Sequence, residues 1–307
     1  MNILLTGAAG QLGQELLPRI SPLGRVTLAD RVAVPGKAET LKLDLGDLNR
    51  VEIMLNRLRP DVIVNAAAYT AVDLAEDNAS VAFRVNSELP GCLARWSKRN
   101  DRLLLHYSTD YIFNGESDRP YIEQDLAVPL GVYGESKLEG ERAITSSLCR
   151  HVILRTSWVY SGHGNNFVLT MLRLARERPE LSIVSDQKGC PTWARNLAGV
   201  TAKVMAGLLS DSDERPASGI YHYCDGDAVT WYEFARTIFS IAVEAGILDR
   251  MPEMESVLTS GFPQKAKRPL FSVLDTTKIR REFGIEPAGM RQSLQSCIKE
   301  MAENESR

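Results

Sequence analysis

The chain has 307 residues, 44% of them hydrophobic and 24% charged, with a formal net charge of -3. Such a length can bury a substantial core, as one large α/β domain or as one domain with a smaller partner. The mild acidity argues against nucleic acid as the main partner, and no run approaches the roughly 18 consecutive apolar residues of a membrane span.

Taken from the N-terminus, Ile3-Leu4-Leu5 reads as a strand that runs straight into Thr6-Gly7 with no basic stretch or cleavage pattern, so a cytoplasmic protein is expected. Further strand-like runs are Val26-Ala29, Leu41-Leu43, Val62-Asn65, Leu103-Ser108, Val152-Thr156, Ile183-Val184 and Ile220-Tyr223. Between several of them lie helical patterns: Asp47 to Leu58 behind an acidic cap, Asn78 to Lys98, and Ser136 to Thr145. This alternation predicts an α/β fold with a doubly wound parallel sheet of Rossmann type. After about residue 160 the texture changes. Phe167 to Arg178 and Thr230 to Ala245 read as helices, and Met251 to Arg268, with three prolines nearby, reads as a loop. Residues 1–160 are expected to form the dinucleotide-binding domain. Residues 161–307 would be mainly a smaller C-terminal substrate-binding lobe, interleaved with the first.

The five cysteines (Cys92, Cys149, Cys190, Cys224, Cys297) are scattered without a Cys-x-x-Cys, which predicts reduced, buried thiols and no zinc site. His106, His151, His163 and His222 show no metal-ligand spacing and are read as structural. The short basic cluster Lys265, Lys267 and Arg268 suits a solvated loop or a clamp on a phosphate-bearing small molecule.

The first chemical signal is Gly7-Ala8-Ala9-Gly10-Gln11-Leu12-Gly13 between a strand and a helix. Gly7 allows a tight turn, Gly10 lets backbone approach a pyrophosphate, and Gly13 permits close helix–strand packing. The helix start then offers unpaired N–H groups to the phosphates. Asp30, at the end of the second strand, can accept from an adenosine ribose, which favours NAD. Arg31 beside it can pair with a 2′-phosphate, which favours NADP, so NADPH and NADH both stay open. Asp44-Leu45 lies where an adenine can be read; alternatively, Asp44 caps the next helix.

The second signal is Tyr133-Gly134-Glu135-Ser136-Lys137. Tyr and Lys at i and i+4 share one helix face, about 6 Å apart along the axis. A nearby ammonium stabilises the phenolate and lowers a pKa that is otherwise near ~10. The strand before it ends in Ser108-Thr109-Asp110, where a hydroxyl can bind a substrate carbonyl. Together with the glycine loop, Thr109, Tyr133 and Lys137 form the expected catalytic set of a nicotinamide-dependent reductase or dehydrogenase.

The threonine-led Gly-x-x-Gly-x-x-Gly loop resembles the extended short-chain dehydrogenase/reductase family. Within it, Asn65 to Thr70, Ser108 to Phe113, Arg155 to Tyr160, Gly164 to Phe167, Asp186 to Thr192 and Arg268 to Asp275 resemble the dTDP-4-dehydrorhamnose reductases over nearly the whole chain. The resemblance implies reduction of the C4 ketone of dTDP-4-dehydro-L-rhamnose, the last step of dTDP-L-rhamnose synthesis. It implies Tyr133 as proton donor, Thr109 on the carbonyl, and Asp110 and Trp158 at the sugar, with Asn166 and Arg268 as further substrate contacts. Gly10, Gln11, Leu12, Asp30, Asp44, Leu45, Ala68, Tyr69, Thr70 and Lys137 would line the cofactor site. Related sugar-nucleotide dehydratases carry a Glu after the Thr-Asp pair; Tyr111 stands here, which removes the acid that dehydration needs. Some relatives hold Mg²⁺ at a dimer contact through acids that include a Glu where this chain has Arg195. Only Glu15 is retained, so no metal site is expected, and a homodimer through other contacts stays open. Two other readings remain: a non-catalytic nucleotide-binding regulatory subunit, and a reductase or epimerase of another nucleotide sugar.

Overall fold

Strand and helix alternation resolves into one seven-stranded sheet in a computed structural model, which describes residues 1–37, 39–209 and 218–305, with side chains to residue 303. Its strands are β1 (Asn2–Thr6), β2 (Arg25–Asp30), β3 (Thr40–Lys42), β4 (Val62–Asn65), β5 (Leu103–Thr109), β6 (Arg150–Thr156) and a last strand, Gly219–His222. The spatial order is β3-β2-β1-β4-β5-β6 followed by Gly219–His222, and every pairing is parallel. Helices cover both faces, which is why β4 and β5 read as nearly unbroken apolar runs. Period-two alternation still sorts the residues. Ile3, Leu5, Val64 and Leu105 pack with Leu16 of α1 (Gln11–Ile20) and Leu197 of the helix Ala194–Leu209. Leu4, Ile63 and Leu104 face the other way, onto Leu55 of α2 (Leu48–Leu58) and Leu93 of the helix Leu89–Asn100.

Chain direction reverses its march across the sheet between β1 and β4. The register sets Thr6 beside Asn65 and Asn65 beside His106. The carboxyl ends of β1, β4 and β5 therefore border a crevice at the switch point, where open α/β sheets bind ligands.

Three elements differ from the sequence expectation. The predicted helix from Asn78 to Lys98 is interrupted: Ala79–Phe83 passes through a π turn, Arg84–Glu88, before Leu89–Asn100. Pro90 explains it, since it has no N–H for the Asn86 carbonyl and its ring crowds that carbonyl. The helix predicted over Ser136 to Thr145 starts a turn earlier and spans Val132–Ser146. Its cap comes from afar, Val132 N donating to Glu76 Oε1 at 3.0 Å, so no neighbouring residue announces it. The expected loop from Met251 to Arg268 contains a strand, Glu253–Val257, paired in parallel with Glu180–Val184 in a small separate ribbon. Its Glu-Met-Glu-Ser-Val sequence is mostly exposed and lacks the apolar alternation that marks a half-buried strand.

The second half of the chain threads back into the first. The helix Ala194–Leu209 packs on α1, and Gly219–His222 extends the main sheet. A separate aromatic-rich core joins the helices Phe167–Glu177, Trp231–Glu244 and Met290–Glu305. All five cysteines are free and buried.

One buried ion pair ties the helix Val132–Ser146 to the sheet. Arg155 of β6 donates from Nε to Glu141 Oε1 at 2.9 Å and from Nη2 to Oε2 at 2.7 Å, and neither side chain is more than 5% exposed. Removing the acid strands a charge in the interior. Glu141→Ala is expected to destabilise the fold by about 3–5 kcal/mol in urea titration. Glu139→Ala, which breaks the exposed pair with Arg142 on the same helix, should cost no more than about 0.5 kcal/mol.

Candidate active site

The crevice at the switch point begins with the glycine loop. Gly7 has φ +69°, and a Cβ there would lie 2.4 Å from Ala67 N. A Cβ on Gly13 would lie 2.2 Å from Gly7 O, so both positions require glycine. Gly10, the N-cap of α1, is different: its backbone is extended and its only near neighbour is Gly7 O at 3.3 Å. No side chain caps α1, which leaves its first-turn N–H groups for an anion.

A cleft of about 910 Å³ opens here, lined by Gly7, Gly10, Asp30, Arg31, Asp44, Leu45, Ala68 and Tyr69. Asp30 Oδ2 accepts from Ala9 N at 2.9 Å, so it braces the loop while facing the cleft. Asp44 does not cap α2, the alternative its position suggested. Asp47 does, accepting from Arg50 N at 3.1 Å, and Asp44 instead accepts from Gly46 N at 2.9 Å. Gln11, Leu12, Gly13 and Thr70 lie outside the cleft lining. Leu12 packs on the core, and Thr70 is exposed past β4. Gln11 stitches the loop to the C-terminal half, its Nε2 donating to Val159 O at 3.1 Å and its Oε1 accepting from Asn166 Nδ2 at 3.2 Å.

β5 and the helix Val132–Ser146 carry the reactive groups. Thr109 Oγ1 accepts from Tyr111 N at 3.1 Å and donates to Asp110 Oδ1 at 3.2 Å, and its hydroxyl faces that of Tyr133. The two elements come this close because residue 134 is glycine: a Cβ there would sit 2.2 Å from Tyr111 O. Lys137 is 2% exposed, and its Nζ donates to Tyr107 O at 2.5 Å and faces His106 Nε2 at 3.3 Å. Burial lowers its pKa to about 8, against the opposing charge of Glu141. Burial raises Tyr133 to about 12, the charge of Asp110 adding to it and the bond from Thr109 opposing it. The expectation that Lys137 lowers the tyrosine pKa is not met, because burial dominates.

Asp110 is buried, and desolvation lifts it to about 7 in spite of hydrogen bonds from Ser272 and Thr109. Its Oδ2 has no protein partner. Tyr111 stands edge-on to Tyr133 with ring centroids 5.6 Å apart and lies beside the Arg268 guanidinium. Arg268 also donates to Asp73 Oδ2 at 2.6 Å and Gln264 Oε1 at 2.7 Å. Trp158 and Asn166 both have partners within the protein. Trp158 stacks face to face on Trp231 with centroids 3.4 Å apart. Its backbone is nonetheless left-handed, φ +47°, a strain of about 1–3 kcal/mol for such a residue. Asn166 caps the helix Phe167–Glu177, accepting from Leu169 N at 3.1 Å and donating to Ser161 O at 2.9 Å. Glu15 is paired with Arg195, whose Nε lies 3.0 Å from its Oε2 and whose Nη1 meets Glu300.

Sequence reasoning missed Asn86. From the π turn its Oδ1 accepts from Tyr69 N at 2.8 Å, and its Nδ2 donates to Tyr69 O and Ser136 Oγ, both at 3.0 Å. It thus couples the cleft wall to the catalytic helix. The available signal was Pro90, four residues on in a helical pattern.

A cleft lined by a glycine loop at the switch point of a parallel sheet, with a threonine, a tyrosine and a lysine on the neighbouring strand–helix pair outside that lining, defines a Rossmann-type oxidoreductase. The chain belongs to the family described as RmlD substrate binding domain, which matches residues 1–303. It is 41% identical over 285 residues to dTDP-4-dehydrorhamnose reductase of Salmonella typhimurium, covering 93% of each chain. A crystal structure of a dTDP-4-dehydrorhamnose reductase from Clostridium acetobutylicum superposes with a TM-score of 0.87 at 34% identity, over 98% of this chain and 99% of that one. A Bacillus anthracis dTDP-4-dehydrorhamnose reductase in complex with NADP superposes with a TM-score of 0.86 at 31% identity, over 97% and 99%.

The environment of Gly10 gives a clean test of the cleft. Gly10→Val should leave the urea midpoint nearly unchanged, since only Gly7 O stands near the new Cβ. It should weaken NADPH binding by about tenfold or more in a fluorescence titration, a cost of about 1.4 kcal/mol.

Proposed function

We propose that the protein reduces the C4 ketone of dTDP-4-dehydro-L-rhamnose to give dTDP-L-rhamnose, acting in the cytoplasm with NADPH or NADH. The single observation that carries this reading is the convergence of Thr109 on β5 with Tyr133 and Lys137 on the helix packed against it, Lys137 Nζ donating to Tyr107 O at 2.5 Å, at the carboxyl edge of the sheet. The relatives named dTDP-4-dehydrorhamnose reductase and the NADP complex among them support the substrate and cofactor. The uncapped start of α1, with Gly7 and Gly10, suits a pyrophosphate, and Asp30 and Arg31 suit the adenosine ribose with or without a 2′-phosphate.

A reduced nicotinamide, when bound, supplies the hydride for C4. Tyr133 donates its proton to the carbonyl oxygen, and its raised pKa keeps that proton in place at neutral pH. Thr109 steadies the oxygen. Lys137, charged below about pH 8, compensates the phenolate that forms and holds the nicotinamide ribose. Asp110 offers its unpartnered Oδ2 to a sugar hydroxyl. Arg268 serves the diphosphate, Trp158 borders the sugar, and Asn166 acts through the helix Phe167–Glu177 that it caps. Residues 1–160 form the dinucleotide half and 161–307 mainly the sugar half. Thr109, Tyr133 and Lys137 together favour an enzyme over a regulatory subunit, which has no need of all three. Tyr111 in place of a carboxylic acid favours simple reduction over dehydration.

Tyr133→Phe should lower kcat by about 10²–10⁴-fold, the range for a lost general acid. NADPH affinity should stay nearly intact. Survival of activity in this variant would show that another group is the proton donor. In the wild type, kcat/KM should fall as pH rises through about 8, because Lys137 then loses the charge that compensates the phenolate.

A further inference from the structure

Gln11 belongs to two parts of the molecule at once. It is the first residue of α1, whose start no side chain caps, so its N–H lies among those left for a pyrophosphate. Its other polar groups reach the segment that follows β6. Nε2 donates to Val159 O at 3.1 Å, and Oε1 accepts from Asn166 Nδ2 at 3.2 Å. The main-chain carbonyl of Gln11 faces His163 Nε2 at 3.2 Å. A carbonyl only accepts, so that ring nitrogen carries the hydrogen. The other ring nitrogen stands 3.8 Å from Glu15 Oε1, one turn further along α1.

The segment gripped in this way leaves the sheet beside the hydroxyl of Thr109. Thr156, the last residue of β6, is the register partner of Thr109 on β5. Trp158 follows with its left-handed backbone, φ +47°, stacked on Trp231. Such a conformation persists only where the surroundings enforce it. Thr192 N donates to Trp158 O at 3.3 Å on one side, and Gln11 holds the carbonyl of Val159, the next residue, on the other. Asn166 braces the same stretch, since its Nδ2 also donates to Ser161 O at 2.9 Å. A helix start with unpaired N–H groups frays, and an anion that takes those groups orders it. An ordered first turn presents the amide and carbonyl of Gln11 at fixed positions to Val159, His163 and Asn166. Order gained at the pyrophosphate therefore reaches the wall beside Thr109.

We propose that Gln11 is a positioning residue that couples the dinucleotide site to the sugar-nucleotide site: a bound pyrophosphate orders Gln11, Gln11 holds the wall from Trp158 to Ser161, and each ligand thereby tightens the other by the same factor. This rests on the reductase reading, which supplies the sugar nucleotide. It gives the side chain of Gln11 a role distinct from touching the cofactor, and it gives His163 and Asn166 a role through Gln11.

The test uses ADP-ribose or its 2′-phosphate, whichever the wild type binds, because each carries the pyrophosphate but no nicotinamide to touch the sugar. Affinity for dTDP-L-rhamnose is measured by calorimetry with and without that fragment, in wild type, Gln11→Met and His163→Ala. Failure of the wild type to bind either fragment, or to bind dTDP-L-rhamnose, would overturn the reductase reading itself. Given binding, the wild type should hold dTDP-L-rhamnose at least about fivefold tighter with the fragment present, the lower end of ordinary coupling, and the reverse titration should return the same factor. Gln11→Met keeps the length of the side chain but not its hydrogen bonds, and should bring the factor below about twofold. His163→Ala removes only the contact to the Gln11 carbonyl and should fall between the two. A wild-type factor near unity, or a factor unchanged in Gln11→Met, would overturn the proposal. If Gln11→Met does not fold, hydrogen exchange of the wild type decides it. The fragment should slow exchange of the amides of residues 157–166 as well as those of the glycine loop, and protection confined to the loop overturns it.

Discussion

The site depends on a single ammonium with almost no access to water. Lys137 lies between the helix Val132–Ser146 and β5, and its charge is tolerated there because Tyr107 O accepts from it and Glu141 balances it. Desolvating a lysine disfavours its charged form, so the surroundings must return what water would have given. The same helix packs so closely on the turn after β5 and on the π turn that glycine is demanded at 134 and 140, where a Cβ would collide with Tyr111 O and Asn86 O. The buried Glu141–Arg155 pair fixes the same helix to β6. Catalytic geometry and helix packing are thus one constraint seen from two sides.

Much of this was legible in the residues. The glycine loop, the run of apolar strands and the Tyr133/Lys137 spacing gave the parallel sheet, the cleft and the side of the sheet on which chemistry occurs. Local patterns failed where the cause was distant. The cap of the catalytic helix comes from Glu76, 56 residues upstream. The strand Glu253–Val257 is defined by its partner Glu180–Val184 rather than by apolar alternation. The acidic cap read at Asp47 has a local cause, and it is present, with Asp47 accepting from Arg50 N.

The electrostatics were the least legible part. Spacing along the helix suggested that Lys137 depresses the tyrosine pKa, yet burial dominates and Tyr133 rises to about 12. For an enzyme acting as a reductase this is serviceable, since a proton donor must hold its proton until the carbonyl oxygen becomes basic. Asp110 illustrates the same principle: surrounded by hydroxyl donors, it is still lifted to about 7 because the protein around it is dry. Sequence names the titratable groups, but the depth of their burial is a property of the folded chain.

The central claim is that this crevice delivers hydride to one carbon of a nucleotide sugar. It is tested most directly by turnover of dTDP-4-dehydro-L-rhamnose with deuterium at the transferable position of the reduced nicotinamide, followed by NMR of the product. The expected result is deuterium at C4 of the sugar and at no other carbon. Product without deuterium at C4, or with label at a neighbouring carbon, would contradict it.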